Sequence, residues 1–497
     1  MKAYSKFLIL GICLALLGPQ IWLFRNSAAD DAFITFRCVQ QWVNGNGLVY
    51  NLGERVEGYS NFLWIVLLAP FARFNLDLLT VARVLGVLLS FLTLLITWHY
   101  SLGISRWQVA PLFLAVSAPF VGWSVGGLET PLFTFLLTAG GLTFLREEES
   151  GKGVFSGIFF ALLALARPEG LLFGLIAIAY RGLTLYLSEE RLSKRDYFRL
   201  ALLAGIFLPY FVWRFAYYGH PIPNTVYAKS MGFHLRPLLE GVYYFYQAFQ
   251  AVGGFFFIGL PFLLALSLRP LPKFVSYLGL NVVIYAGFVT AGGGDWMPMQ
   301  RFAVHILPFT FLLVQAGLEK LIKIWTERWA KALVLILVVG QIGYLLTGSL
   351  EKRFLERVGK HPFYETLIPL LTYMQERVRP GDTIALFDAG YLAYKLPLNI
   401  KCVDMVGLVD AHIAHLPVKL PGGILSQGNA FGKWDVDYIL AQKPRFVQMG
   451  LSAPPKNNTW QTPFTGTTLL ANDPRFQKEY RPVIFKSDKV LFELITP

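Results

Sequence analysis

Apolar residues in this chain gather into long, nearly unbroken runs parted by short polar stretches. Such runs lie near 7–24, 61–73, 81–100, 109–124, 131–145, 154–166, 170–187, 199–218, 247–268, 273–290, 301–318 and 331–348. A helix crossing a bilayer needs about 20 residues, fewer where the bilayer thins or flanking side chains snorkel. The pattern predicts a polytopic α-helical membrane region over 1–349. Beyond it the texture changes. "DTIALFDAGYLAYKLPLNIKCVDMVGLVD" at 382–410 alternates short β-prone runs with Gly, Pro and Asp. "KPRFVQMG" and "YRPVIFKSDKVLFELI" read as strands, and helical spacing appears near 362–378. Residues 350–497 are therefore expected to form an α/β domain with a core of its own.

Charge placement orients the runs. Lys2 and Lys6 precede the first, and "SEERLSKRDYFR" (188–199) and "EKLIKIWTERWAK" (319–331) are the most basic loops. Basic loops stay on the cytoplasmic side, so the N-terminus is expected inside and the C-terminal domain outside. That arrangement needs an odd number of crossings. Eleven spans are expected from the twelve runs, with 61–73 and 109–124 the suspects for not crossing. The first run could be a cleaved signal peptide, but apolar character continues past Pro19 to Phe24, and Arg25 and Asn26 follow. It is read as a retained anchor.

Composition agrees with a membrane setting: 55% hydrophobic and 15% charged residues, with mean hydropathy +0.50. The net charge of +13 lies mostly in short loops, which suits anionic lipid headgroups and not a nucleic-acid stripe. Cys13, Cys38 and Cys402 are too few and scattered for a disulfide framework or a metal site. One Asn-x-Thr triplet stands at Asn457, a weak signal.

The stretch "ADDAFITFRCVQQWVNGNGLVYNLGERVEGYSNFLW" from Ala29 sets Asp30 and Asp31 between two apolar runs. Either carboxylate could cap a helix over "AFITFRCVQQWV", whose Phe33, Phe36, Val39 and Val43 share one face and would lie on the outer membrane surface. One Asp suffices for a cap. Two adjacent carboxylates repel, and near a low-dielectric surface one would hold its proton more tightly, as a general base requires. Glu54, Arg55 and Glu57 follow, with Tyr59 and Trp64 where the next run begins.

Other outward loops carry comparable groups: Glu129 in "VGGLETPLF", Arg167 and Glu169 in "ALARPEGLLF", Asn224, Tyr227 and Lys229 in "YYGHPIPNTVYAKSMG", and Asp295, Trp296 and Arg301 in "TAGGGDWMPMQRF". Charges between apolar runs mark either a site or an ion pair, and Arg167 and Glu169 could simply pair. Arg and Lys suit a phosphate; Asp and Glu suit sugar hydroxyls and base catalysis. Asp404, Asp410, His412 and His415 could suggest metal ligands, although ordinary hydrogen-bonded residues of an α/β fold explain them better.

Taken in order, "DDAFITFR … GLVYNLGERVEGYSNFLW … GGLETPLF … ARPEG … PNTVYAK … GGDWMPMQRF … DMVGLVD" resembles the integral-membrane glycosyltransferases of GT-C fold. It is most similar to the terminal arabinofuranosyltransferases of actinobacterial cell-wall synthesis and their bacterial relatives. The likeness runs over nearly the whole chain, and the long acidic-loop segment is its specific part. It implies transfer of a sugar from a polyprenyl-phosphate donor to a glycan, glycolipid or protein acceptor, on the periplasmic face of the bacterial inner membrane. It implies no nucleotide motif, and no GxGxxG or Walker sequence is present. A metal is not expected, although adjacent carboxylates could hold a divalent ion.

By the same likeness Asp30 is expected as the base and Asp31 as a group positioning the acceptor. Arg167, Lys229 and Arg301 are candidates for the leaving phosphate, on chemistry and placement. The C-terminal domain is expected to bind sugar or acceptor. The alternative is transfer of another sugar, such as mannose or aminoarabinose, to protein or lipid. A transporter of lipid-linked sugars would show repeats and mid-membrane charges, neither of which is apparent. A structural membrane protein would leave the acidic pair inessential.

Overall fold

The computed structural model describes residues 3–105, 107–230, 235–324, 328–350, 363–419, 432–450, 459–462, 464–485 and 489–495. Asn457 lies outside the described residues. The chain folds as two compact units. One holds residues 1–27, 82–212 and 237–360; the other holds 28–81, 213–236 and 361–497.

The first unit is helical because its runs are apolar on most faces and carry few β-breaking turns. Among the described residues five helices are long and apolar enough to cross a membrane: Phe7–Phe24 within Ala3–Phe24, Leu78–Ile104, Gly170–Leu187, Lys194–Tyr218 and Lys273–Ala291. Two bent pairs, Pro237–Ala251 with Phe255–Leu266 and Pro298–Val304 with Leu307–Ile324, raise the number to seven. The expected eleven exceed this, since several runs form shorter or broken helices. The run 109–124 splits into Val109–Val116 and Ala118–Ser124 around Ser117, whose backbone is extended ahead of Pro119. Apart from half-buried Leu112, both pieces are buried inside the unit. The run 61–73 forms a 12-residue helix, Phe62–Arg73. Helix Leu307–Ile324 is the core of the first unit, buried from Leu307 to Leu318. At Gly317 a Cβ would lie 1.8 Å from the Pro261 carbonyl, so only glycine lets helix Leu260–Leu266 pack there.

In the second unit five strands form one sheet: β1 Thr383–Leu386, β2 Lys401–Asp404, β3 Phe446–Gln448, β4 Tyr480–Ile484 and β5 Val490–Leu494. Their order is β2-β1-β3-β5-β4, with β1 parallel to β2 and β3, and β5 antiparallel to β3 and β4. These are the strands expected from the alternating runs. Val403, Ala385, Val447 and Phe492 on the sheet pack with Ile439, Trp460, Leu470 and Phe476 in the core.

Helix Asp30–Val43 belongs to this same unit. Its apolar face, expected to rest on lipid, is instead buried against protein. The Phe33 ring meets Tyr391 at 5.1 Å edge-on and Phe36 meets Tyr394, both on helix Tyr391–Lys395. Arg37, fully buried, donates to the carbonyls of Tyr50, Ala393 and Ile400. Gln41 and Asn51 add bonds to Leu398 and Cys402. The segment 28–81 thus forms part of the same fold as the C-terminal strands.

Candidate active site

Asp30 and Asp31 open helix Asp30–Val43, and neither side chain caps it; the cap position is Ala29. The capping reading gives way to a longer-range contact. The Asp30 carboxylate accepts from the backbone N–H of Gly390 and of Tyr391, each at 2.8 Å. These amides lie on the turn following β1, held in place by the Tyr50 hydroxyl on the Ala389 carbonyl. Gly390 is required: a Cβ there would lie 2.1 Å from the Asp30 carbonyl oxygen and 2.5 Å from its carboxylate.

The same turn presents a further acid that sequence reasoning missed, Asp388. Gln448, ending β3, accepts from the Asp388 backbone N–H at 3.0 Å and donates its amide to the Asp388 carboxylate at 2.7 Å. Burial, then the neighbouring charges of Asp388 and Asp31, push the Asp30 carboxyl up to about 8 against the two backbone amides. Burial likewise raises Asp388. Asp31 is half-buried and makes no side-chain hydrogen bond among the described residues. The acids also sit where an open α/β sheet binds ligands. The chain runs from β1 out to β2 and returns across to β3, so the strand order reverses at β1, and Asp388 and Gln448 stand at the carboxyl ends of β1 and β3. "FDAG" at 387–390, a strand end followed by Asp and Gly, was the available sequence signal.

Most other candidates of this unit have protein partners. Glu57 forms a buried bidentate pair with Arg214, at 2.8 Å from Nε and 2.7 Å from Nη2, and burial raises its carboxyl to about 7. Asn224 donates to the carbonyls of Gly407 and Leu408. Glu54 pairs with Lys401 at 2.8 Å, and Arg55 lies over the Tyr217 ring. The Tyr227 ring packs on His415 at 4.4 Å, and Lys229 is exposed at the end of helix Asn224–Lys229. Asp404 accepts from the N–H groups of Val406 and Val409, and burial raises its carboxyl to about 7. Asp410 caps helix Ala411–Ala414, His412 bonds Asp435 and His415 bonds the Ala411 carbonyl. Among the described residues no three His, Cys, Asp or Glu groups gather as metal ligands would.

The first unit gathers a second polar cluster. Arg167 is paired with both Glu129 and Glu169, so the expected two-residue pair is a triad. Arg301 bonds Asp295 through Nε at 2.8 Å. Both guanidinium groups face one ring, Phe302, at 5.0 and 4.9 Å from its centre. Sequence reasoning also missed His305, fully buried, whose Nδ1 meets the Tyr285 hydroxyl at 2.7 Å. Met299 and Gln300, just before Arg301, have φ of 58° and 43°, a left-handed backbone costly for side chains that bear a Cβ. Strain of this kind concentrates at functional sites. Trp296 is half-exposed.

Comparison with known proteins bears on the chain as a whole. The chain is 30% identical over 256 residues to the terminal β-(1→2)-arabinofuranosyltransferase of Mycobacterium tuberculosis, covering 46% of this chain and 39% of that protein. The enzyme of the same name from Corynebacterium glutamicum matches at 28% over 243 residues, 41% of this chain and 33% of that protein. The chain thus aligns with well under half the length of these relatives. Residues 361–489 match a domain of unknown function, DUF8728.

Among solved structures, ArnT from Cupriavidus metallidurans bound to undecaprenyl phosphate superposes with a TM-score of 0.55 at 11% identity, over 99% of this chain and 98% of ArnT. The mycobacterial arabinofuranosyltransferase AftD gives 0.53 at 11% identity, over 100% of this chain and 40% of AftD. The chain therefore has the GT-C membrane fold, and its sequence is similar to arabinofuranosyltransferases.

Proposed function

We propose that the chain is a membrane glycosyltransferase that moves a sugar, arabinofuranose by its likeness, from a polyprenyl-phosphate donor to an acceptor hydroxyl on the periplasmic face. The likeness to terminal arabinofuranosyltransferases carries this reading. The fold shared with an undecaprenyl-phosphate-bound protein supports a lipid-linked donor. Asp30 is the base, oriented by two backbone amides that leave lone pairs on both oxygens for an incoming hydroxyl. It takes the hydroxyl proton as the acceptor oxygen bonds the anomeric carbon and the carbon–phosphate oxygen bond breaks. Asp31, free of protein partners among the described residues, contacts the acceptor. Arg167, Arg301 and Lys229 are assigned to the phosphate, which leaves as polyprenyl phosphate. Arg301 supports this with two guanidinium nitrogens that make no hydrogen bond among the described residues.

Transfer of radiolabelled sugar from synthetic polyprenyl-phospho-arabinose by membranes carrying the protein tests the reading. Wild-type is expected to transfer, and Asp30→Asn to lose about 10²–10⁴-fold in rate with expression intact. Activity only with another lipid-phosphate sugar would change the donor; equal rates in wild-type, Asp30→Asn and Asp31→Asn would remove the pair from the mechanism.

A further inference from the structure

We infer that Asp388 is a positioning residue for the acidic pair, contributed by the turn after β1 that also clamps Asp30. Its catalytic meaning rests on the reading of Asp30 as base. Four residues, Asp388 to Tyr391, perform two tasks at once. Their amides at Gly390 and Tyr391 hold both oxygens of Asp30, and their first side chain sets a carboxylate within electrostatic reach of it. Asp388 cannot swing away freely, because Gln448 grips it through the backbone N–H and the carboxylate together. Gln448 in turn ends β3, so the position of Asp388 is tied to the parallel β1–β3 pairing. Gly390 completes the clamp, since any side chain there would push Asp30 off the turn.

The chemical consequence follows from the charges. A carboxylate beside Asp30 disfavours a second negative charge, so Asp30 binds a proton more tightly when Asp388 is ionised. In the transfer step the acceptor O–H bond breaks and a carboxylic O–H forms on Asp30. Asp388 makes that proton's arrival more favourable without touching the substrate. The groups facing the pair are Asp31 from the same helix, Tyr50 from the segment after it, and Lys489, which faces Asp388 and lowers its proton affinity.

The test uses full-length protein in nanodiscs and follows the carboxylic-acid C=O stretch by infrared difference spectroscopy across pH 5–10, with no substrate. Wild-type is expected to show a carboxylic-acid component that titrates near pH 8, above those of Glu57 and Asp404, and that is absent from Asp30→Asn. In Asp388→Asn, which keeps the shape and a partner for Gln448, that component should move to lower pH. An unchanged midpoint in Asp388→Asn would overturn the inference, as would a component titrating near pH 8 that survives in Asp30→Asn. Gln448→Glu, adding a further carboxylate, should move the midpoint upward and checks that the response is electrostatic. In the transfer assay Asp388→Asn should shift the rising limb of rate against pH to lower pH. A spectroscopic shift without any transfer by wild-type would leave the clamp standing and refute the enzyme reading instead.

Discussion

At the scale of single residues, the site depends on contacts that admit few substitutions. Gly390 has φ −87°, outside the left-handed region, and its requirement is one of space: a Cβ there would meet Asp30. Gly390→Ala is expected to displace Asp30 and cost about 1–3 kcal/mol through overpacking. The check is transfer activity together with thermal unfolding. Activity should fall well beyond what the loss of folded protein explains, and unchanged activity would show that Asp30 tolerates the shift. Glu57 and Arg214 illustrate the opposite case, a buried pair satisfied within the protein. Removing one partner strands a buried charge, whereas the pair itself contributes little net stability.

At the scale of elements, helix Asp30–Val43 is a structural member of the C-terminal sheet unit. Its sequence carries an amphipathic stripe, and that stripe alone cannot tell lipid from protein as the apolar partner. Arg37 shows which one the fold uses, because a guanidinium in contact with three backbone carbonyls must be inside protein. Arg37→Met leaves those carbonyls unpaired and is expected to cost about 3 kcal/mol. Hydrogen exchange should then speed up over 30–43 and 389–402 and stay unchanged across Leu307–Leu318. Uniform acceleration in both units would mean that the helix does not act locally.

At the scale of the whole molecule, two outcomes follow from the interleaved chain path. A chain ended at residue 349 lacks the strands that bind segment 28–81, so that segment is expected to become protease-sensitive. Protection equal to that of the full chain would overturn the assignment of 28–81 to the second unit. The second outcome concerns pH. Asp30, Glu57 and Asp404 are all raised in the fold above the ordinary carboxyl range. A raised carboxyl means that the folded state binds more protons than the unfolded chain between pH about 4 and about 7–8. This contribution to the stability of the second unit should therefore be fully present below pH about 4 and fall as pH rises through that window. Each group contributes at most about 1.4 kcal/mol per pH unit. Tryptophan-monitored melting at pH 5 and pH 8 checks this: the apparent Tm should be lower at pH 8, and Asp404→Asn should flatten the difference.

The helical membrane fold and the five strands were legible in the sequence, because apolar run length and β-prone patterning are local properties. The likeness to arabinofuranosyltransferases was legible too, since it lies in ordered motifs. Tertiary structure alone decided how Asp30 is held, because its partners are 360 residues away and are backbone amides, which every residue but proline carries. It alone decided that Asp388 and Gln448 belong beside the pair, and that Arg167 binds two carboxylates and not one. It also decided the fate of the short apolar runs. Composition cannot say whether an apolar helix faces lipid or the interior of a bundle; only the neighbours that bury it can.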